Sequence, residues 1–488
     1  MSEYQIQLVV VAGGPAGLAA AVAAAEKGVH VAVLEKRAIP GGLANSGMGI
    51  LAIESHYQKE AGVDLTVEKA MKMMMEYEHY NIDGRLLRRY FGQSADTIEW
   101  LEGMGVEFEG AFRYFTKSEP TWHIVKTGKK IGPAAARLMN QKMAERAEEL
   151  GVRIYYECVG KKVLMDADGK VSGLLATDKI GRNFVIDCQA VVLACGGAAG
   201  NPDLIREETG YRFGEDLFNF SSPAITGDGL KMAWEAGADR LPVRIEQAAL
   251  CGGLDTLPPC VPNVMMQPNL LVNLDGKRVM DEEQMENTTF LGNAASIQEK
   301  RVLFSIVDAG IAEHYAEHGL DETSLVRNDP DVSGFPEAVD NALKRGNRSI
   351  FKADTLKELA AQTGIDEEGL LRTVESYNSF CETGDDEFFK KKEYMRPLVK
   401  SPFYAATIYP GGYGTVGGIR INENCEVLRN FKPIPGLYAA GSDACNLYND
   451  SYMFLLPGNS MGFAVNSGRI AGTEAARYIC GYISWQGV

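Results

Sequence analysis

Nowhere in the 488 residues does an uninterrupted apolar run approach the roughly 18 residues that a membrane-spanning helix needs, and no charged leader precedes the first apolar stretch. A span is excluded on this reading, and cytoplasmic residence is expected. The nine cysteines (158, 188, 195, 251, 260, 381, 425, 445 and 480) stand singly, without C-x-x-C or C-x-x-C-H spacing, so iron–sulfur clusters and c-type haem have no ligand set. Scattered thiols read as small core residues of a chain kept reduced. Of six histidines only His314 and His318 have the i, i+4 spacing of a helical metal pair, and Glu313 and Glu317 beside them make that a solvated face. No metal is expected. Positive charge is also short: 49 Lys and Arg against 65 Asp and Glu leave a net −16, which repels nucleic acid and anionic membrane surfaces.

What is present is glycine in patterns and enough apolar residues, 45%, for a large core in two or three domains. Ile6 to Val11 reads as a buried strand, Ala12-Gly13-Gly14-Pro15-Ala16-Gly17 as a turn, Leu18 to Lys27 as an Ala-rich helix, and Val29 to Leu34 as a second strand closed by Glu35. Gly14 lets backbone approach a pyrophosphate, Gly17 lets helix and strand pack closely, and the helix N-terminus offers free N–H groups and a positive dipole end. Glu35 follows near the spacing of about 20 at which an acid grips a ribose hydroxyl. The pattern points to FAD or NAD. Ala12 occupies the usual first-glycine position, so the tight turn must form with a Cβ present.

Lys36 and the small-residue run through Gly41, Gly42, Asn45, Gly47 and Gly49 suit backbone packed against a flat isoalloxazine rather than a nicotinamide. Residues 64 to 104 read as helical, with Val67, Met71, Met74 and Met75 as a core stripe. Val152 to Tyr156 and Lys162 to Met165 alternate as strands around Val159, and Asp166-Ala167-Asp168-Gly169 is a hairpin turn. Ala190 to Leu193 then runs into Ala194-Cys195-Gly196-Gly197, a second glycine contact point. Thr226-Gly227-Asp228-Gly229 has N-cap chemistry for an anion or ribityl chain. From about 240 to 408 the composition turns to charged helices and turn signals such as Asn328-Asp329-Pro330. Glycine-rich strand and helix return with Gly411 to Gly418, Ile434 to Asp443, and Gly458-Asn459-Ser460-Met461-Gly462, whose helix aims a positive end at a flavin edge.

These segments, with Gly276-Lys277-Arg278, Thr415-Val416-Gly417-Gly418 and Ser467-Gly468-Arg469-Ile470-Ala471-Gly472, make the chain resemble the fumarate reductase and succinate dehydrogenase flavoproteins, closer to their ketosteroid dehydrogenase and enone reductase branch. The resemblance implies an α/β fold: a Rossmann-like FAD-binding domain in two segments, 1–239 and 409–488, with an inserted α+β capping domain at 240–408. It implies FAD, held non-covalently because the nearest histidine after Gly42 is His56. Gly13, Gly14, Ala16, Gly17, Glu35, Lys36, Gly42, Asn45, Gly47, Gly49, Val159, Ala194, Cys195, Gly196, Thr226, Asp228, Asp443, Gly458, Ser460 and Met461 are the expected cofactor contacts.

Fumarate reductases carry a histidine before the Thr-x-Gly-Gly segment and an arginine ahead of the final helix. Here Tyr413 or Gly414 and Leu455 stand in those places, and Asp281 to Asn287 contains no basic residue. A dicarboxylate needs bidentate cations to offset its desolvation. Leu447 to Leu456, with Tyr448, Asp450, Ser451, Tyr452 and Phe454, offers instead an oily wall for a small apolar carbonyl compound. The expected reaction is enone reduction or its reverse, with Tyr413 and Tyr452 as candidate proton donors and Tyr448 and Ser451 in reserve. No second dinucleotide fingerprint is present, so an external electron donor or acceptor is expected. Two alternatives stay open: reduction of an unsaturated acid held by Arg244, Arg278 or Arg301, although Arg278 after Asp275-Gly276-Lys277 reads as a surface hairpin residue, and a flavin electron carrier without substrate chemistry.

Overall fold

The computed structural model describes residues 5–219, 222–327, 331–449 and 451–481; the Asn328-Asp329-Pro330 turn signal and Asp450 lie outside them. The first strand, Leu8–Val11, is wholly buried and pairs in parallel with Val31–Glu35 on one side and Ala190–Leu193 on the other. Strands buried on both faces read as continuous Val/Leu runs, which is why these three segments carry no polar alternation. Arg153–Tyr156 and Lys432–Ala439 extend the sheet in parallel at either side, and Glu426–Arg429 closes one edge antiparallel, giving six strands. Residues more than 400 positions apart thus share one sheet, as a nucleotide fold divided in sequence requires.

Two helices cover this sheet back to back. Pro15–Ala25 is almost entirely alanine, glycine and small apolar residues, and Asn459–Ile479 lies against it. A Cβ on Gly468 or Gly472 would come within 2.1 Å of the Ala16 or Ala20 carbonyl oxygen, so the helices meet backbone to backbone. The Met-rich segment forms helix Val67–Tyr77 with Met74 buried, followed by helix Gly84–Glu102. The hairpin turn at 166–169 joins Val159–Met165 to Val171–Thr177.

A second hydrophobic core is built on a mixed sheet whose spine is the 17-residue strand Phe403–Ile419. Arg240–Cys251, Leu303–Asp308 and Ile350–Ala353 pair antiparallel with it, and Leu270–Val272 continues the sheet. The spine passes through position 408, so the two bodies share a continuous strand rather than a loose linker. Tyr77 stacked on Phe290 at 5.4 Å, Lys117 paired with Glu283 and Glu286, and Asn293 donating to Ser451 Oγ at 2.7 Å tie the bodies together across their seam. Arg278 departs from the surface position expected of it. The Asp275-Gly276-Lys277 turn does form, but the guanidinium turns inward, 1% exposed, onto Glu282 and Asp386.

Candidate active site

A cavity of about 470 Å³ opens at the carboxyl ends of the parallel strands, where an open α/β sheet binds its ligands. One end is nucleotide-like. Helix Pro15–Ala25 begins at Gly14 without any side-chain cap, leaving its N-terminal N–H groups available, and an added Cβ on Gly14 would meet no heavy atom within 4 Å. Ala12 takes the left-handed φ of 81°, the conformation that the missing glycine would have adopted more cheaply. Buried Glu35 accepts from the Gly13 N–H at 2.8 Å and the Arg37 N–H at 2.7 Å while still lining the cavity. Its first job is therefore to fix the turn. Lys36 Nζ pairs with Asp228 at 2.8 Å and reaches Thr226 Oγ1 at 3.2 Å.

Of the expected cofactor positions, Gly14, Ala16, Glu35, Lys36, Gly42, Gly47, Gly49, Val159, Ala194, Cys195, Gly196, Asp228, Gly458, Ser460 and Met461 line the cavity. Gly13, Gly17, Asn45, Thr226 and Asp443 stand behind the wall, each with a supporting contact. A Cβ on Gly17 would fall 1.9 Å from the Ala12 carbonyl oxygen. Asn45 ties the small-residue loop to Pro40 and Asn140. Asp443 is fully buried and accepts from the N–H groups of Cys195 at 2.6 Å and Gly197 at 2.8 Å, which holds the second glycine turn; burial pushes its carboxyl up to about 6. At 226–229 the cap differs from expectation. Helix Asp228–Glu235 starts at Gly227 in the left-handed region with no side-chain cap, since glycine has no side chain to offer, and the Asp228 and Thr226 oxygens are turned to Lys36.

The other end of the cavity is aromatic. Tyr413, Tyr452, Phe454, Tyr114 and Trp122 converge there with Glu246. Phe454 meets Tyr452 edge-on at 4.8 Å, Tyr114 stacked at 5.2 Å and Tyr413 at 6.2 Å. Tyr452 OH accepts the Ser460 N–H at 3.0 Å at the start of the last helix. Burial raises the Tyr452 phenol well above 10, and Tyr413, although 38% of the residue is exposed, is raised as well because its phenol is buried beside Tyr114 and Glu246, so both are neutral acids at physiological pH. Tyr448 does not reach the cavity, and Ser451 is engaged by Asn293. Leu455 and Leu456 lie outside the lining, so the expected oily wall narrows to Tyr452 and Phe454.

Tyr114, Trp122 and Glu246 carried no sequence signal of their own. Glu246 sits in strand Arg240–Cys251 among Arg240, Arg244 and Gln247, so its charge does not stand out in the sequence. Its carboxyl is 6% exposed, accepts from Ser460 Oγ at 3.3 Å, and is pushed by burial up to about 7. The cations held in reserve do not line the cavity: Arg278 is locked to Glu282 and Asp386, Arg301 lies over Tyr211 and pairs with Asp216, and Arg244 is likewise absent from the wall. The lining cations are Lys36 and Arg37, both at the nucleotide end.

An uncapped helix start facing an open glycine, a second glycine turn braced by a buried acid, and a second helix start at Gly458 are the donor set that a pyrophosphate and a flat ring require, and FAD fits them. The family model described as FAD binding domain matches residues 7–461. The chain belongs to this family. It is 34% identical to a vinyl phenol reductase of Lactiplantibacillus plantarum over 96% of both chains. A urocanate reductase of Eggerthella lenta is 28% identical over 96% of this chain and 74% of its own length. Among solved structures, 3-ketosteroid-Δ4-(5α)-dehydrogenase from Rhodococcus jostii, in complex with 4-androstene-3,17-dione, superposes with a TM-score of 0.77 at 25% identity, covering 97% of both chains. The open conformation of a flavocytochrome c3 fumarate reductase gives 0.69 at 25% identity, covering 98% of this chain and 79% of that one. The protein is an FAD-dependent oxidoreductase of the kind that acts on C=C bonds. Among the described residues no helix is long and apolar enough to cross a membrane.

Proposed function

We propose that this protein reduces a C=C bond conjugated to a polar group in a flat, neutral, largely apolar molecule, or runs the reverse desaturation, and that residues 240–408 form the cap over that substrate. The observation that carries this reading is the aromatic end of the cavity, where five rings and one carboxyl converge and where, among the described residues, no arginine or histidine lines the wall, Lys36 and Arg37 lying at the nucleotide end. A dicarboxylate brought there would lose its hydration with no bidentate cation to offset the loss. The vinyl phenol and ketosteroid chemistries named for two of the similar proteins are of the flat, neutral kind.

FAD, when bound, supplies two-electron hydride chemistry. The cavity-lining turn residues and the uncapped helix at Gly14 would hold its pyrophosphate, with Glu35 near the ribose and Lys36 and Asp228 beside it; Gly196 and the Gly458-Ser460-Met461 helix start would face its ring. Gly13, Gly17, Asn45, Thr226 and Asp443 would act by shaping that wall. Tyr452 is the favoured proton donor. Its hydroxyl accepts the Ser460 N–H, which stabilises the phenolate left after donation, while Tyr413 approaches from the opposite strand. The aromatic walls exclude water from the reacting carbon. Electrons come from an external donor, and nine free cysteines suit a reducing cytoplasm, where we place the protein.

The test is anaerobic turnover with reduced viologen dye on a panel of flat enones, aryl alkenes and unsaturated acids. Faster turnover of neutral substrates is expected. Fumarate turned over faster than every neutral compound would overturn the reading in favour of an acid reductase.

A further inference from the structure

Glu246 is a buried carboxyl aimed into the cavity whose role is not assigned by the reading above. It lies on strand Arg240–Cys251, paired antiparallel with Phe403–Ile419, and the register slips there: Ile245 faces Thr415 and Gln247 faces Gly412. Tyr413 and Gly414 therefore both oppose Glu246. Such bulges re-aim side chains beside active sites. The carboxyl lies directly against Gly414, where an added Cβ would be in van der Waals contact with Glu246 Oε2 at 3.6 Å. Among the described residues the carboxyl accepts one hydrogen bond, from Ser460 Oγ, while an ionised carboxylate has about four acceptor positions.

The groups around it are neutral. Tyr413 comes from the facing strand, Tyr448, Tyr452 and Cys445 from the segment before the last helix, and all four are pushed upward by burial and feel the Glu246 charge. Arg327 acts on Tyr413, Arg244 lies two residues away on the same strand, and neither is among the causes that set the Glu246 titration. A buried carboxylate without a counter-charge needs donors. Among the described residues no cation lines this end of the cavity, and a ligand that carries a hydroxyl supplies such a donor.

Resting on the reading of this cavity as the substrate site, we propose that Glu246 is a specificity-determining residue that accepts a hydrogen bond from a hydroxyl on the substrate's ring, so that the preferred substrates are phenolic. A hydroxyl hydrogen satisfies an ionised carboxylate directly. A carbonyl offers only lone pairs and competes only when Glu246 is protonated, and a substrate carboxylate is repelled. The aromatic walls fit the planar ring that carries the hydroxyl.

The experiment uses FAD-loaded protein and two saturated probes that cannot be reduced, 4-propylphenol and its methyl ether 4-propylanisole, with binding followed by tryptophan fluorescence and by the flavin absorbance band. At pH 8 the phenol is expected to bind about tenfold tighter than the ether or better, the range of a hydrogen bond to a charged group. The ratio is expected to fall towards one at pH 5.5, where Glu246 carries its proton. In Glu246→Ala the preference is expected to vanish at both pH values. Glu246→Gln, which keeps an acceptor oxygen and the side-chain volume, is expected to retain part of the preference and to lose its pH dependence, and it decides the matter if the alanine variant does not fold. Equal binding of phenol and ether by the wild type at pH 8, or a pH-dependent preference that survives in Glu246→Gln, overturns the proposal. Turnover of neutral alkenes without any phenol preference would sink this inference alone; failure to reduce any neutral alkene would sink the reading beneath it.

Discussion

Gly14→Ala separates folding from cofactor binding in one residue. Gly14 has φ −72° and ψ 179°, extended backbone that alanine adopts freely, and its added Cβ meets no protein atom within 4 Å. Replacing glycine at a compatible position stabilises by about 0.4–1 kcal/mol through the unfolded chain, while alanine is a poorer helix N-cap than glycine, and the two effects offset. The apoprotein is therefore expected to unfold in urea within about 1 kcal/mol of wild type. In the holoprotein the same methyl points into the space assigned to pyrophosphate, where overpacking costs about 1–3 kcal/mol, roughly 5- to 150-fold in FAD dissociation constant. Gly17→Ala is the contrast: its Cβ would strike the Ala12 carbonyl at 1.9 Å, so folding and binding fail together. Titrating FAD into each apoprotein and following the quenching of its fluorescence reads the affinities. An alanine at 14 that binds FAD as tightly as wild type would refute the placement of the cofactor at this turn.

Three further outcomes follow from buried groups. Because burial raises Glu246 from 4.5 to about 7, the folded chain holds a proton that the unfolded chain releases across that window, and the Glu246 contribution lowers stability as pH rises from about 4.5 to 7. Glu246→Gln removes it, so urea unfolding should show the variant gaining on wild type by about 1–3 kcal/mol between pH 4.5 and 8, and parallel profiles would contradict the burial argument. Arg278→Met should cost about 3–5 kcal/mol in unfolding free energy by taking the guanidinium from buried Glu282 and Asp386, which leaves Lys390 at 3.7 Å as the cation beside Glu282, against under 0.5 kcal/mol for the surface residue that the hairpin motif suggests. Tyr452→Phe should lower kcat by about 10²- to 10⁴-fold with flavin content unchanged, and Tyr413→Phe by less than tenfold; the opposite order would exchange their roles.

The nucleotide half of this site was legible in sequence because its chemistry is local. The Ala12 to Gly17 turn and the glycines at 196 and 458 advertise backbone geometry in consecutive residues, and even the Ala12 departure resolves as a left-handed alanine. At the aromatic end of the cavity, the lining residues that sequence singled out are Tyr413, Tyr452 and Phe454, each in a short contiguous segment. Tyr114 arrives from the bend after strand Phe108–Phe112, and Trp122 and Glu246 from two separate strands, so only the fold brings them together. Asp443, expected to touch the cofactor, stands behind the cavity wall, since sequence shows that an acid is near a glycine turn and not which side of the turn it braces. Arg278 was misplaced for the same reason: a Gly-Lys turn marks the backbone reversal, and the direction of the next side chain depends on Asp386, 108 residues away.

The central claim is a reducible FAD facing an aromatic wall that receives neutral conjugated alkenes. It is tested most directly by reducing the purified holoprotein under anaerobic conditions, mixing it rapidly with a flat enone, a phenolic alkene or fumarate, and timing the return of the yellow oxidised-flavin absorbance. The account predicts fast return with the neutral compounds, fastest with the phenolic one, and slow return with fumarate. Return with fumarate alone would contradict it.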